Sequence, residues 1–220
     1  MFIAREASVV YQAFQVVAWG LFKLLTHLQV TGIDKVPATG PVIISPNHLH
    51  MLDIPLVGMC TRRRTVILAA DKWRGKPGGW VMERVTQVIY VARGEADREA
   101  LSESLKVLKA GGTLAVAPEG TRSRQRGLQE GHGGASYLAS RTGAPIVPVA
   151  VWGHDTTFQA WRRLRRPRVF VVFCNPITLP SSATRARSEE LHRYTEQIML
   201  AIAREMPEEY RGVYAGRVLV

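Results

Sequence analysis

The stretch Asn47-His48-Leu49-His50-Met51-Leu52-Asp53 places an imidazole five residues ahead of a carboxylate. An imidazole titrates near neutral pH and suits the work of a general base. A carboxylate on its other nitrogen fixes the tautomer and stabilises the imidazolium that forms. Five residues is not a same-face helical spacing, so His48 and Asp53 meet only if the chain turns between them. The competing reading makes His48 a solvated loop histidine and Asp53 a helix cap. His48-x-His50 followed by Asp53 also has the spacing of metal ligands. The metallo-hydrolase order H-x-H-x-D-H, however, sets its Asp one residue earlier and adds a His directly after it; Leu52 and Ile54 occupy those places here. His27, His132, His154 and His192 are scattered along the chain, so no metal is expected. A second candidate is Pro118-Glu119-Gly120-Thr121-Arg122-Ser123. A glycine turn carrying Thr and Arg is a plausible seat for a phosphate or an oxyanion.

Both candidates sit where a strand runs out. Val42–Ile44 reads as a short buried strand ahead of the first, with a helix over 53–61 after it. Thr113–Ala117 reads as a strand ahead of the second. Strands are also expected at 65–70, 88–91, 146–151 and 169–173. Helices are expected at 80–86, 98–109, 134–141 and 189–204, the second of these ending at the Gly111-Gly112 stop. Short apolar strands alternating with helices imply an α/β domain with a largely parallel or mixed sheet covered by helices. In such folds sites form beyond the strands' C-terminal ends.

The 220 residues suffice for one domain with a real core, and 46% apolar against 21% charged residues is a globular composition. The two cysteines, Cys60 and Cys174, have no metal or redox spacing and read as buried free thiols. The N-terminal stretch is uncharged from Ala7 to Phe22. It is short for a spanning helix and contains Gln12 and Gln15. As a helix it has one narrow polar stripe (Arg5, Ser8, Gln12, Gln15, Lys23, Thr26) and a broad apolar remainder including Phe2, Val9, Phe14, Val17, Leu21, Leu24 and Leu28. That pattern suits a helix lying in a membrane interface. Residues 1–30 are therefore expected to be a membrane-associated helical segment and residues 31–220 the α/β domain.

The two motifs together, in this order and about seventy residues apart, resemble the signature of the glycerolipid acyltransferases, typified by lysophosphatidic acid acyltransferase. The resemblance spans roughly Thr31 to Gly153. It includes Val147-Pro148-Val149, and the approach Leu128-Gln129-Glu130-Gly131 with Gly134-Ala135. One block departs: where the family shows G-x-F-I-D-R, this chain has Val88-Ile89-Tyr90-Val91-Ala92-Arg93, keeping only the Arg. The resemblance implies a glycerol-3-phosphate acyltransferase-like fold. It implies direct transfer of a fatty acyl group from acyl-CoA or acyl-ACP, with no cofactor beyond that donor. The acceptor it implies is 1-acylglycerol-3-phosphate, with glycerol 3-phosphate or another lyso-lipid as alternatives. His48 is then the base and Asp53 its orienting partner. Arg93 and Arg122 hold the acceptor phosphate, Gly120 and Thr121 belong to the same acceptor-binding turn, and Glu119 fixes that turn or binds the acceptor. Backbone amides near His48 or Gly120 are candidate oxyanion donors. Lys72 reads as a solvated surface residue.

The net charge of +11 favours anionic partners. Arg62-Arg63-Arg64 and the run Arg162, Arg163, Arg165, Arg166, Arg168 carry much of it, the latter flanked by Trp161 and Phe170. Tryptophan beside arginine fits a membrane interface and anionic headgroups; acyl carrier protein or the phosphates of coenzyme A would suit the same charges. No zinc finger, RRM-type signature or helix-turn-helix is present, so nucleic acid is not an expected partner. The expected location is the cytoplasmic face of the cell membrane, monotopic or peripheral. A lipid-binding membrane protein without catalysis is the reading from another class.

Overall fold

The computed structural model describes residues 9–50, 53–61, 63–92, 97–123 and 125–218. Arg93 and, in the N-terminal segment, Phe2, Arg5 and Ser8 lie outside the described residues. The chain opens with α1 (Val9–Leu25), β1 (His27–Thr31), β2 (Val42–Pro46), α2 (Asp53–Cys60) and β3 (Thr65–Ala70). It continues with α3 (Pro77–Val85), β4 (Val88–Val91), α4 (Arg98–Lys109), β5 (Thr113–Ala115) and α5 (Gly134–Thr142). It closes with β6 (Ile146–Trp152), α6 (Thr157–Arg162), β7 (Arg168–Phe173) and α7 (Ser188–Glu205).

The strands form one mixed sheet in the order β1-β7-β6-β2-β5-β3-β4. Every neighbouring pair is parallel except β6 with β7. Strands β2 and β6 are apolar almost throughout because both of their faces are covered. Alternation along them divides the core. Ile43, Ile146 and Ala150 face a layer built by α4, α5 and α7; Val42, Ile44, Val147, Val149 and Val151 face a layer that includes Phe22 of α1 and Leu56 and Val57 of α2. Helix α7 buries Thr195, Ile198, Met199, Ile202 and Ala203 at three- and four-residue spacing. Each large apolar side chain fully buried this way contributes about 1.5–3 kcal/mol.

Helix α3 starts at Pro77, three residues ahead of the expected helix, and other elements also differ from the sequence expectation. The helical pattern continued through Leu28, but α1 stops at Leu25 and Leu28 lies in β1, paired with Val169. Strand β1 is an edge strand of the sheet with alternating burial, a signal too short to stand out against the preceding apolar run. Helix α6 lies inside what the sequence showed only as the start of a basic run. The strand ahead of Pro118 ends at Ala115, although the Val116 amide still donates to the Ile44 carbonyl at 2.9 Å. Cys60 and Cys174 are free and buried, as expected.

Among the described residues no helix is long and apolar enough to cross a membrane. Helix α1 instead lies on α2. Gln15 points inward and donates to the carbonyls of Gly58 and Thr61, both at 2.7 Å. Thr26 is buried just beyond the helix, while Val16, Val17, Leu21 and Leu24 are all more than half exposed. From Gln15 to Leu25 the outward face of α1 is thus largely apolar, the reverse of a helix packed on a water-soluble core.

Candidate active site

Three adjacent parallel strands, β6, β2 and β5, deliver the candidate residues at their C-terminal ends. Beyond β2, the buried Asn47 replaces the missing ladder. Its Nδ2 donates to the Val151 carbonyl at 3.0 Å, and its Oδ1 accepts from the Val151 amide at 2.7 Å. This side chain fixes where the chain leaves the sheet and therefore where His48 begins. The backbone then turns, and the Asp53 amide donates to the His50 carbonyl at 3.3 Å. The turn brings His48 Nδ1 within 2.8 Å of Asp53 Oδ2. The same oxygen accepts the His50 amide at 2.8 Å. The His48 ring remains partly exposed, at 21%, while Asp53 is wholly buried.

The other carboxylate oxygen, Asp53 Oδ1, meets His154 Nε2. His154 is fully buried and follows β6 through Gly153, whose φ of +82° and close approach to the Arg168 carbonyl leave no room for a side chain. The next residue, Asp155, clamps this turn by accepting from Arg126 Nη2 at 2.7 Å and from the Tyr210 hydroxyl at 2.8 Å. The sequence reading set His154 aside with the scattered histidines. Its one available signal was position, because it closely follows a buried strand. Burial alone would raise the Asp53 pKa; bonds from His154 and His48 and from the His50 amide reverse this and hold it below the ordinary value. Burial, and then the His154 ring 5.7 Å away, push the His50 pKa down.

Glu119 ties the second motif to the first. It is buried, with Oε1 accepting the His48 amide at 2.7 Å and Oε2 accepting the Gln129 amide at 3.1 Å. The Ser123 amide donates back to the His48 carbonyl at 2.8 Å. Glu119 therefore holds the backbone of His48 and is not placed as an acid or base. Burial raises its pKa from the ordinary 4.5 to about 7 even against those two donors. A carboxyl raised on folding favours the fold fully below pH 4.5, and that advantage is lost as pH rises through 7. Glu119→Gln is expected to flatten this part of the stability profile, by roughly 1–3 kcal/mol between pH 5 and 8. Urea unfolding at several pH values measures it; an unchanged slope would show that Glu119 does not titrate there.

Gly120, Thr121 and Arg122 are exposed at the mouth of the turn. Gly120 has φ +65°, and a Cβ on it would stand 3.1 Å from His132 Cδ2. The Arg122 charge is felt at His50, which places it beside the first motif, and no carboxylate pairs with it among the described residues. Among the amides near His48 and Gly120 considered as oxyanion donors, those of His48 and Gly120 themselves are otherwise engaged. His48 N–H donates to Glu119, and Gly120 N–H donates to the Ala117 carbonyl at 3.1 Å. Lys72 is exposed, 5.9 Å from the centre of the Trp73 ring. Among the described residues no group of three His, Cys, Asp or Glu is placed to hold a metal ion.

Several known proteins to which this chain is similar are acyltransferases by name. A 1-acyl-sn-glycerol-3-phosphate acyltransferase of Borreliella burgdorferi is 32% identical over 132 residues, which is 59% of this chain and 52% of that protein. One from Cocos nucifera is 28% identical over 172 residues, 75% of this chain and 54% of that protein. The chain thus spans about half the length of these curated relatives. The crystal structure of the 1-acyl-sn-glycerophosphate (LPA) acyltransferase PlsC from Thermotoga maritima superposes with a TM-score of 0.66 at 26% identity, covering 86% of this chain and 76% of that one. The family model described as Acyltransferase matches residues 27–152, from the first residue of β1 to the last of β6. With more than half its length matched to that model, the chain belongs to the Acyltransferase family.

Proposed function

We propose that this chain transfers a fatty acyl group from a thioester, acyl-CoA or acyl-ACP, to the free hydroxyl of 1-acylglycerol-3-phosphate, giving phosphatidic acid. The observation that carries the reading is the partly exposed His48 ring, held by a buried, ionised Asp53 at 2.8 Å. With Nδ1 donating to Asp53, the lone pair at Nε2 is the basic one. His48 takes the proton of the acceptor hydroxyl as its oxygen adds to the thioester carbonyl. The tetrahedral intermediate then collapses, the carbon–sulfur bond breaks, and the imidazolium returns the proton to the departing thiolate. Direct transfer also accords with the cysteines. Burial pushes the thiols of Cys60 and Cys174 up to about 12, which leaves no thiolate to form an acyl-enzyme.

Arg122 is the described residue suited to the acceptor's phosphate, and Arg93 is its proposed companion from the sequence. Arg122→Ala is expected to raise the acceptor KM about ten-fold or more while changing kcat little. Equal KM values for variant and wild type would remove Arg122 from the phosphate site. The outward apolar residues of α1 support a location at a membrane interface, and the cytoplasmic face is the proposed side. The reading is tested by supplying acyl-CoA with 1-acylglycerol-3-phosphate, glycerol 3-phosphate or a lysophospholipid lacking a terminal phosphate, and identifying the product by mass spectrometry. Phosphatidic acid is expected. Acylation of only one of the other acceptors would reassign the substrate.

A further inference from the structure

Helix α6 ends in a turn that departs from what a water-exposed turn requires. Past the last helical residue, Arg162, comes Arg163 and then Leu164, whose φ is +53°. Left-handed backbone at a helix end is the usual place for glycine or asparagine, because a Cβ there is strained. Leu164 accepts that strain and is also 97% exposed, the most exposed of the large apolar residues described. The turn is well held. The Leu164 amide donates to the Trp161 carbonyl at 2.9 Å, and the Arg165 amide to the Ala160 carbonyl at 2.9 Å.

The turn is also bolted to the end of α1. Trp161 Nε1 donates to the Leu25 carbonyl at 2.8 Å, and Arg166 Nη2 donates to the carbonyls of Lys23 and Thr26 at 2.8 and 2.9 Å. The Trp161 and Phe22 rings meet edge to face, 6.3 Å apart. The turn that carries Leu164 is therefore tied to the end of α1, where Leu21, Leu24 and Leu25 are also exposed. Lys23 of α1 and Arg162, Arg163, Arg165 and Arg166 at the turn are all exposed, and none forms an ion pair among the described residues.

We infer that the Arg162–Arg166 turn is a second membrane contact. Leu164 enters the acyl boundary of an anionic leaflet while Arg162, Arg163 and Arg165 take lipid phosphates. An exposed leucine held between arginines that form no ion pair matches a surface that is apolar within and anionic at its edge. The contact has a consequence for the site. Phe158 of α6 lies 5.8 Å from Trp161 and 5.4 Å from His50, ring centre to ring centre, so α6 joins the membrane turn to the first motif. An acceptor lipid drawn from the leaflet would start close to His48.

This inference rests on the membrane location proposed above, and its test separates the two. The full chain is mixed with vesicles of phosphatidylcholine alone, or with a third phosphatidylglycerol, and bound protein is measured by flotation. The wild type is expected to bind the anionic vesicles. Leu164→Asp should weaken that binding ten-fold or more. The triple change of Arg162, Arg163 and Arg165 to Ala should weaken it by a similar factor and remove the preference for phosphatidylglycerol. Both variants should keep the wild-type circular dichroism and the wild-type rate on short-chain, monomeric substrates. A dye on Leu164→Cys should be quenched by doxyl-labelled lipid, and one on Lys109→Cys should not. Wild-type binding with unaffected variants and an unquenched Leu164→Cys dye overturns the second contact but leaves α1 as a membrane helix. No wild-type binding overturns both. Unaltered binding with a raised KM for acyl-ACP alone would also overturn the contact, assigning the arginines to the carrier protein.

Discussion

His48→Ala is expected to lower acyl transfer by about 10²–10⁴-fold, chiefly in kcat, while leaving the protein folded. The loss follows from the proton: without an imidazole the acceptor hydroxyl attacks as a neutral alcohol. The fold should survive because what His48 gives the architecture is backbone. Its amide bond to Glu119 and its carbonyl bond from Ser123 do not involve the ring. The ring is also partly exposed, so removing it leaves no sealed cavity. The check is kcat with saturating acyl-CoA and acceptor, alongside a thermal melt. A variant within three-fold of wild type would remove His48 as the base.

Asp53→Asn is expected to cost a similar 10²–10⁴-fold in kcat with little change in acceptor KM. An amide neither stabilises the imidazolium nor keeps Nδ1 as the donor. It also replaces an acceptor of three hydrogens, from His48, His50 and His154, with a group that itself donates. Stability should fall as well, and its pH dependence has a definite sign. The Asp53 pKa is lowered on folding, so its contribution is present above its unfolded value and lost as pH falls through the folded one. The melting temperatures of wild type and Asp53→Asn should therefore differ most near pH 7 and converge in acid. A difference that is constant with pH would mean that the Asp53 charge does not act through these bonds.

The His48–Asp53 geometry was within reach of the sequence because both residues lie in one strand-to-helix turn, where local chain direction is enough to bring them together. The sequence also placed Glu119 next to a strand end, yet gave it the acceptor or its own turn to hold. Its actual partner, the His48 amide, depends on β5 lying beside β2, an ordering that no local pattern encodes. His154 was missed for the same reason. It reaches Asp53 from the far side of β2, across the β6 pairing, and a single histidine after a glycine carries no periodic signal. The α1 stripe shows the converse. Its polar residues were visible, but whether they faced water or protein required knowing that Gln15 caps the end of α2. The Arg162–Arg166 turn was legible as charge and illegible as shape, since the sequence shows neither the backbone angle nor the exposure of Leu164.

The central claim is that this chain joins a thioester's acyl group to a phosphate-bearing lipid hydroxyl through His48. Thiol release from acyl-CoA, followed with and without 1-acylglycerol-3-phosphate, tests it most directly. The account predicts release by the wild type only when the acceptor is present, and none above background from His48→Ala. Release that is the same without acceptor, or the same in His48→Ala, would contradict it.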